Sequence, residues 1–230
     1  MREGPKQLAF ELPLDPRYGR EDFLVSPSNE RAYGLIERWP DWPDMILVLT
    51  GPRGSGKSHL ASIWATAAHA WTIDAFEAAG GRVPHLVSNG ALVIEGADGP
   101  ERDEASLFHL LNLARERGAS VLVTGSAPVE QWGIATPDLL SRLRLALSAS
   151  IEPPDDALLR AVLVKLFIDR QLVVDTTVVD FIAMRIERSL ARAAEIVAAL
   201  DREALSRGRR ITRAMAAELL DDHMEADDPS

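Results

Sequence analysis

Met45-Ile46-Leu47-Val48-Leu49-Thr50-Gly51-Pro52-Arg53-Gly54-Ser55-Gly56-Lys57-Ser58 is the stretch on which the fold turns. Its first five residues form a continuous apolar run of strand length, as expected for a strand buried on both faces of a parallel sheet. Its last eight match G-x-x-x-x-G-K-[ST] in full, and a helix is predicted from Lys57 to about Ala70. A strand before and a helix after is the context this motif needs. The glycines let the backbone curl so that its N–H groups converge on phosphate oxygens at the positive end of the helix. Lys57 adds a mobile charge for the β- and γ-phosphates, and Ser58 offers a hydroxyl to Mg²⁺. Gly51, Pro52, Arg53, Gly54, Ser55, Gly56, Lys57 and Ser58 are therefore the candidate cradle for ADP or ATP with Mg²⁺. His59 is counted with them, and reads equally as a residue that packs or caps locally.

Upstream, Ala32, Leu35, Ile36 and Trp39 recur at helical spacing after Ser28 or Asn29 as a cap, and Pro40 ends that helix. Downstream, strand and helix patterns alternate: Trp71–Ile73 as a strand, Ala75–Ala79 as a short helix and Ala91–Ile94 as a strand. Then come Glu104–Arg117 as a helix closed by Gly118 and Ser120–Thr124 as a strand. This alternation predicts a doubly wound αβα parallel sheet. After Pro153-Pro154 only helical patterns follow: Asp156–Gln171, Thr176–Arg188, Leu190–Arg207 and a short Thr212–Leu220. The expected organisation is a flexible tail over 1–20, an α/β domain over 21–153, a small all-α lid over 154–222 and an acidic tail over 223–230.

A P-loop enzyme that hydrolyses its nucleotide also needs an acid at the end of a neighbouring strand, and many carry a second acid to orient water. Here Leu92-Val93-Ile94 leads into Glu95-Gly96. Glu95 reaches a metal through water, so Ser58 and Glu95 are the candidate metal residues. Gly96 positions nothing, which predicts good binding and poor hydrolysis. Asp98, two residues on, either compensates or is simply solvated.

With these residues in place, the chain resembles the AAA+ ATPase module of DnaA, the replication initiator, over roughly residues 7–220. More closely it resembles the Hda/HdaA-type DnaA paralogues that inactivate the initiator. Phe23-Leu24-Val25-Ser26-Pro27-Ser28-Asn29 is similar to the initiator segment over the adenine, which implies nucleotide contacts from Phe23, Leu24 and Asn29. Leu139-Leu140-Ser141-Arg142-Leu143 is similar to the arginine-finger segment, so the resemblance implies that Arg142 acts in trans on DnaA, with Arg144 as the alternative. Ile151-Glu152-Pro153-Pro154 resembles the hinge into the lid, and Arg192 falls at the sensor-2 position. Val121–Thr124 with Ser126 matches the sensor-1 strand, where the initiator carries an acid at the position of Ser126. Gln7-Leu8-Ala9-Phe10-Glu11-Leu12 resembles the peptide that docks on the sliding clamp of DNA polymerase III, with Gln7 setting register and Leu8 with Phe10 or Leu12 filling a pocket. The alternative is a strand or loop packed on its own domain. The initiator's C-terminal DNA-binding helices would lie beyond residue 220.

The resemblance implies a negative regulator of replication initiation, nucleotide-bound and weakly active itself, which stimulates hydrolysis of DnaA-bound ATP. Its implied partners are DnaA, the clamp, DNA only through the clamp, and another copy of itself. Composition agrees with the soluble, cytoplasmic class. The 230 residues are 47% hydrophobic and 26% charged, and contain no cysteine for disulfides, thiolate metal sites or nucleophiles. No apolar run reaches membrane-span length, and Met1-Arg2-Glu3-Gly4-Pro5 opens no signal peptide. Lys+Arg 25 against Asp+Glu 35 gives a net charge of −10, which disfavours direct wrapping of nucleic acid. Two rivals remain: a self-sufficient ATPase such as a helicase loader or remodelling motor, and a DNA-binding DnaA relative that uses Arg207, Arg209, Arg210 and Arg213. The five histidines show no metal spacing.

Overall fold

The computed structural model describes residues 18–78 and 82–226, with side chains through residue 221. The chain divides into two compact units, whose described parts are Tyr18–Leu158 and the residues from Leu159 onward.

The first unit is built on five parallel strands: β1 (Ile46–Thr50), β2 (Trp71–Asp74), β3 (Ala91–Glu95), β4 (Ser120–Gly125) and β5 (Leu147–Ser150). Their order is β2-β3-β4-β1-β5. Because side chains alternate along a strand, the apolar run of β1 serves both faces of the sheet. Ile46 and Val48 join Leu92, Ile94, Val121 and Val123 on one face. There they pack with Leu107, Leu110 and Leu111 of α4 (Glu104–Arg117) and with Leu139 and Leu143 of α5 (Pro137–Leu145). Leu47 and Leu49 face the other way, with Val93, Leu122 and Ala149. They meet Ala32 and Ile36 of α1 (Glu30–Glu37) and Leu60, Ala61 and Trp64 of α2 (Lys57–Ala68). Helices on both faces make the three-layer αβα arrangement, which the sequence predicts. A four-residue helix, α3 (Val83–Leu86), completes the unit.

The second unit is helical. It contains most of α6 (Asp156–Asp169), then α7 (Thr176–Ala183), α8 (Leu190–Arg207) and α9 (Arg213–Ala226). Leu159, Leu163 and Phe167 of α6 close a core with Val178, Ile182, Ile196, Val197 and Leu200.

Several boundaries differ from expectation for local reasons. Helix α2 stops at Ala68 and α6 at Asp169, because His69 and Gln171 turn left-handed at φ 50 and φ 58 and close the last turns. Helix α7 ends at Ala183, and Ser189 then caps α8, its side chain accepting from the Arg192 N–H. The short helix at Ala75 is a single 3-10 turn, Ala75–Glu77. Helix α9 continues to Ala226, so residues 223–226, expected in an acidic tail, are helical. Residues 227–230 lie outside the described residues.

Candidate nucleotide-binding site

In parallel α/β sheets ligands sit beyond the carboxyl ends of the strands, and here the candidate residues gather at that edge. Gly51 follows β1 at φ 152, and a Cβ there would come 2.4 Å from the Ile151 carbonyl oxygen, so only glycine fits. Its N–H donates to the Gly125 carbonyl at 3.2 Å. Gly54 at φ 71 and Gly56 at φ 103 take left-handed turns that deliver the chain into α2. The Ser55 hydroxyl is buried within this loop without a partner among the described residues.

Lys57 Nζ donates to the carbonyls of Gly51 at 2.7 Å and Pro52 at 2.8 Å. Its pKa lies below the ordinary lysine value: burial lowers it, Asp98 and then Glu95 oppose that, and Arg53 adds to the lowering. A folded-back ammonium, an orphan hydroxyl and the free amides at the start of a long helix fit a phosphate chain. Ser58 and Glu95 line one cavity of about 420 Å³ together with Tyr18, Ser62 and Thr72. No cluster of three His, Cys, Asp or Glu suited to a metal occurs among the described residues. That donor set fits Mg²⁺ held by one or two side chains alongside phosphate oxygens and water.

The segment 23–29 is pinned beside α2. Phe23 stacks on Tyr33 at 5.5 Å and meets His59 edge-on at 5.2 Å. His59 also meets Tyr18 edge-on, and its Nε2 lies 2.9 Å from the Gly19 carbonyl oxygen, so its side chain serves packing. Asn29 is buried: its Oδ1 accepts from Ser26 N–H and its Nδ2 donates to the Leu24 carbonyl. The Glu152 N–H donates to the Ser28 carbonyl at 2.9 Å. Asn29 thus shapes the segment that presents Phe23 and Leu24.

The exits of β3 and β4 are laced together. Gly96 N–H donates to Thr124 Oγ1 at 3.2 Å, and Ala97 N–H to the Thr124 carbonyl at 2.9 Å. Asp98 Oδ2 accepts from the Ser126 N–H at 2.9 Å and from the Ser126 hydroxyl. Next to it is a hub that sequence patterning does not reveal. Arg102, only 7% exposed, donates to the carbonyls of Asp98, Gly99 and Trp132 and to Glu104 Oε1. The Glu104 carboxylate also accepts the N–H groups of Ala135 and Thr136, which precede α5. Hydrogen bonding, led by Thr136, holds its pKa down to about 2. The only sequence signal is an acid in the first turn of α4.

Arg142 lies exposed on α5 and has no ion-pair or hydrogen-bond partner among the described residues. Arg144 is engaged with Glu130 at 3.3 Å. In the helical unit, Arg192 pairs with Glu195 at 3.2 Å, the i,i+3 arrangement. Arg207 pairs with Glu203 and Glu218, while Arg213 lies over the Phe181 ring. Gln7, Leu8, Phe10 and Leu12 lie outside the described residues. Among the described residues no helix is long and apolar enough to cross a membrane.

No family model matches the chain. It is 27% identical over 251 aligned residues to the chromosomal replication initiator protein DnaA of Thermomicrobium roseum, covering 94% of this chain and 52% of that protein. The chain therefore spans about half the length of this relative. Domain III of the Thermotoga maritima replication initiation protein DnaA superposes with a TM-score of 0.78 at 21% identity, over 91% of this chain and 98% of that one. A replication initiator DnaA bound to AMPPCP and single-stranded DNA gives 0.68 at 19% identity, over 85% and 69%. Parallel sheet, phosphate loop and trailing helices together give this chain a fold like that of DnaA domain III.

Proposed function

We propose that this protein is a nucleotide-bound regulator of replication initiation, of the Hda type, that lends an arginine to ATP-bound DnaA and so returns the initiator to its ADP form. The observation that carries the reading is Arg142. Leu139 and Leu143 anchor α5 in the core, while Arg142 extends from the helix with no internal counter-ion among the described residues. An exposed arginine on a rigid helix is suited to meet negative charge on a partner.

In this reading residues 51–58 hold ADP or ATP, with Ser58 and Glu95 toward Mg²⁺. Phe23 and Leu24 flank the base, and Arg192 acts from the lid. Bound Mg²⁺-nucleotide supplies phosphate charge that orders the loop. The protein's own turnover is slow, below about 1 s⁻¹, the low end for phosphoryl-transfer enzymes, because Gly96 offers no side chain to water. The organisation proposed is tail (1–20), α/β domain (21–153) and lid (154–222), in a cytoplasmic protein. Gln7, Leu8, Phe10 and Leu12 dock on the sliding clamp, so inactivation follows replication. DNA is engaged through the clamp, consistent with the −10 charge.

The test mixes the protein with DnaA pre-loaded with labelled ATP, with and without clamp on DNA, and follows hydrolysis. Arg142→Ala should leave nucleotide and clamp binding intact and remove the stimulation, about 10³–10⁵ in rate for an arginine supplied in trans. Arg142→Lys should rescue poorly, since a point charge does not span two oxygens as a guanidinium does. Undiminished stimulation by Arg142→Ala would move the role to Arg144. Full activity of Arg144→Ala as well would end the arginine-donation reading.

A further inference from the structure

The carboxylate absent at Gly96 has a counterpart in space. Register pairs Thr50 of β1 with Gly125 of β4, and Gly51 N–H bonds the Gly125 carbonyl, so Ser126 emerges beside the mouth of the phosphate loop. The Asp98 carboxylate sits on Ser126, taking both its N–H and its hydroxyl on Oδ2. Oδ1 has no donor among the described residues.

A merely solvated loop acid would not be held in this way. The turn that carries Asp98 is closed by Gly99 N–H donating to the Gly96 carbonyl at 2.9 Å. Its backbone is gripped by Arg102, which donates to the carbonyls of Asp98 at 3.3 Å and Gly99 at 2.9 Å. Ala97 N–H adds the bond to Thr124. Asp98 is thus fixed from its backbone and through one oxygen, with the other left over at the strand-exit edge.

We propose that Asp98, oriented by Ser126, is the acceptor that positions the attacking water for this protein's own slow ATP hydrolysis, in place of a second acid at position 96. Asp98 takes one proton of the water as the water oxygen bonds to the γ-phosphorus. The bond from that phosphorus to the bridging oxygen breaks with its electron pair going to ADP. One proton remains on the phosphate formed, and the other passes from Asp98 to solvent. The role rests on the reading of residues 51–58 as a Mg²⁺-ATP site.

Three full-length proteins test it: parent, Asp98→Asn, and the exchange Asp98→Ser with Ser126→Asp. Asn keeps an oxygen for the Ser126 N–H while removing the charge, and the exchange returns a carboxylate from the other side of the same contact. ADP affinity with Mg²⁺ is measured by calorimetry, then the affinity gained on adding aluminium fluoride, then single-turnover hydrolysis of labelled ATP. Asp98→Asn should bind ADP as the parent does, yet lose the aluminium fluoride gain and about a hundredfold in turnover, the lower end for a positioned proton acceptor. The exchange should recover both. A parental gain and rate in Asp98→Asn would overturn the proposal, as would a parent with neither to lose. ADP affinity that falls in Asp98→Asn would make the residue a structural prop, again overturning it. A parent that does not bind ADP at all would instead overturn the nucleotide reading, and this role with it.

Discussion

Lys57 is the only side chain of the loop with its ammonium already turned inward, onto the Gly51 and Pro52 carbonyls. Burial lowers its pKa from the ordinary 10.5, which marks a desolvated charge whose exchange of carbonyls for phosphate is favourable. Hydrogen bonds to charged groups contribute about 1.5–3 kcal/mol, so Lys57→Ala should weaken ADP binding by at least about tenfold to a hundredfold. Calorimetry of parent and variant checks this, and equal affinities would remove Lys57 from the site. The neighbouring residues show how unevenly roles can be read from sequence. Gly51, Gly54 and Gly56 are legible because the motif and their backbone angles express one constraint. The side-chain hydrogen bonds of His59 and Asn29 are not, since they go to backbone groups of Gly19, Ser26 and Leu24 that leave no residue-type signature.

At the level of elements, the central strands and α4 are legible because an apolar run or a capped amphipathic period states them directly. Strand β5 is not: Leu147-Ser148-Ala149-Ser150 buries only Ala149, and its place at the sheet edge demands little of its composition. The Asp98–Ser126 contact and the bonds from Glu104 to Ala135 and Thr136 join residues 28 to 32 positions apart, so no local spacing encodes them. Glu104 ties the start of α4 to the segment entering α5, and its pKa falls from 4.5 to about 2 on folding. The unfolded chain then binds the proton more tightly than the native one. The stability Glu104 contributes is therefore complete above pH 4.5 and is lost as pH falls toward about 2. Glu104→Gln should flatten that acid limb and lower stability at neutral pH by roughly 1–3 kcal/mol, the cost of leaving Arg102 without its carboxylate. Urea melts from pH 3 to 7 measure both. An unchanged acid limb would assign the pH dependence to other carboxylates.

Across the whole molecule, the apolar interior of the described residues divides into three clusters. Among the described residues, all three apolar clusters are filled by residues between Phe23 and Leu220. If the proposed clamp docking holds, changing Gln7 and Leu8 to Ala abolishes co-elution with the clamp while leaving melting temperature and ADP affinity unchanged. A lower melting temperature with clamp binding intact would assign the hexapeptide to its own domain instead. Mechanically, the phosphate loop is held at both ends. Gly51 is wedged between the Gly125 carbonyl on one side and Ile151 on the other, so it acts as an abutment shared by the exits of three strands. At the other end α2 bears on the same sheet through Leu60, Ala61 and Trp64. A push on the loop is therefore shared between two supports, Gly51 before it and α2 behind it.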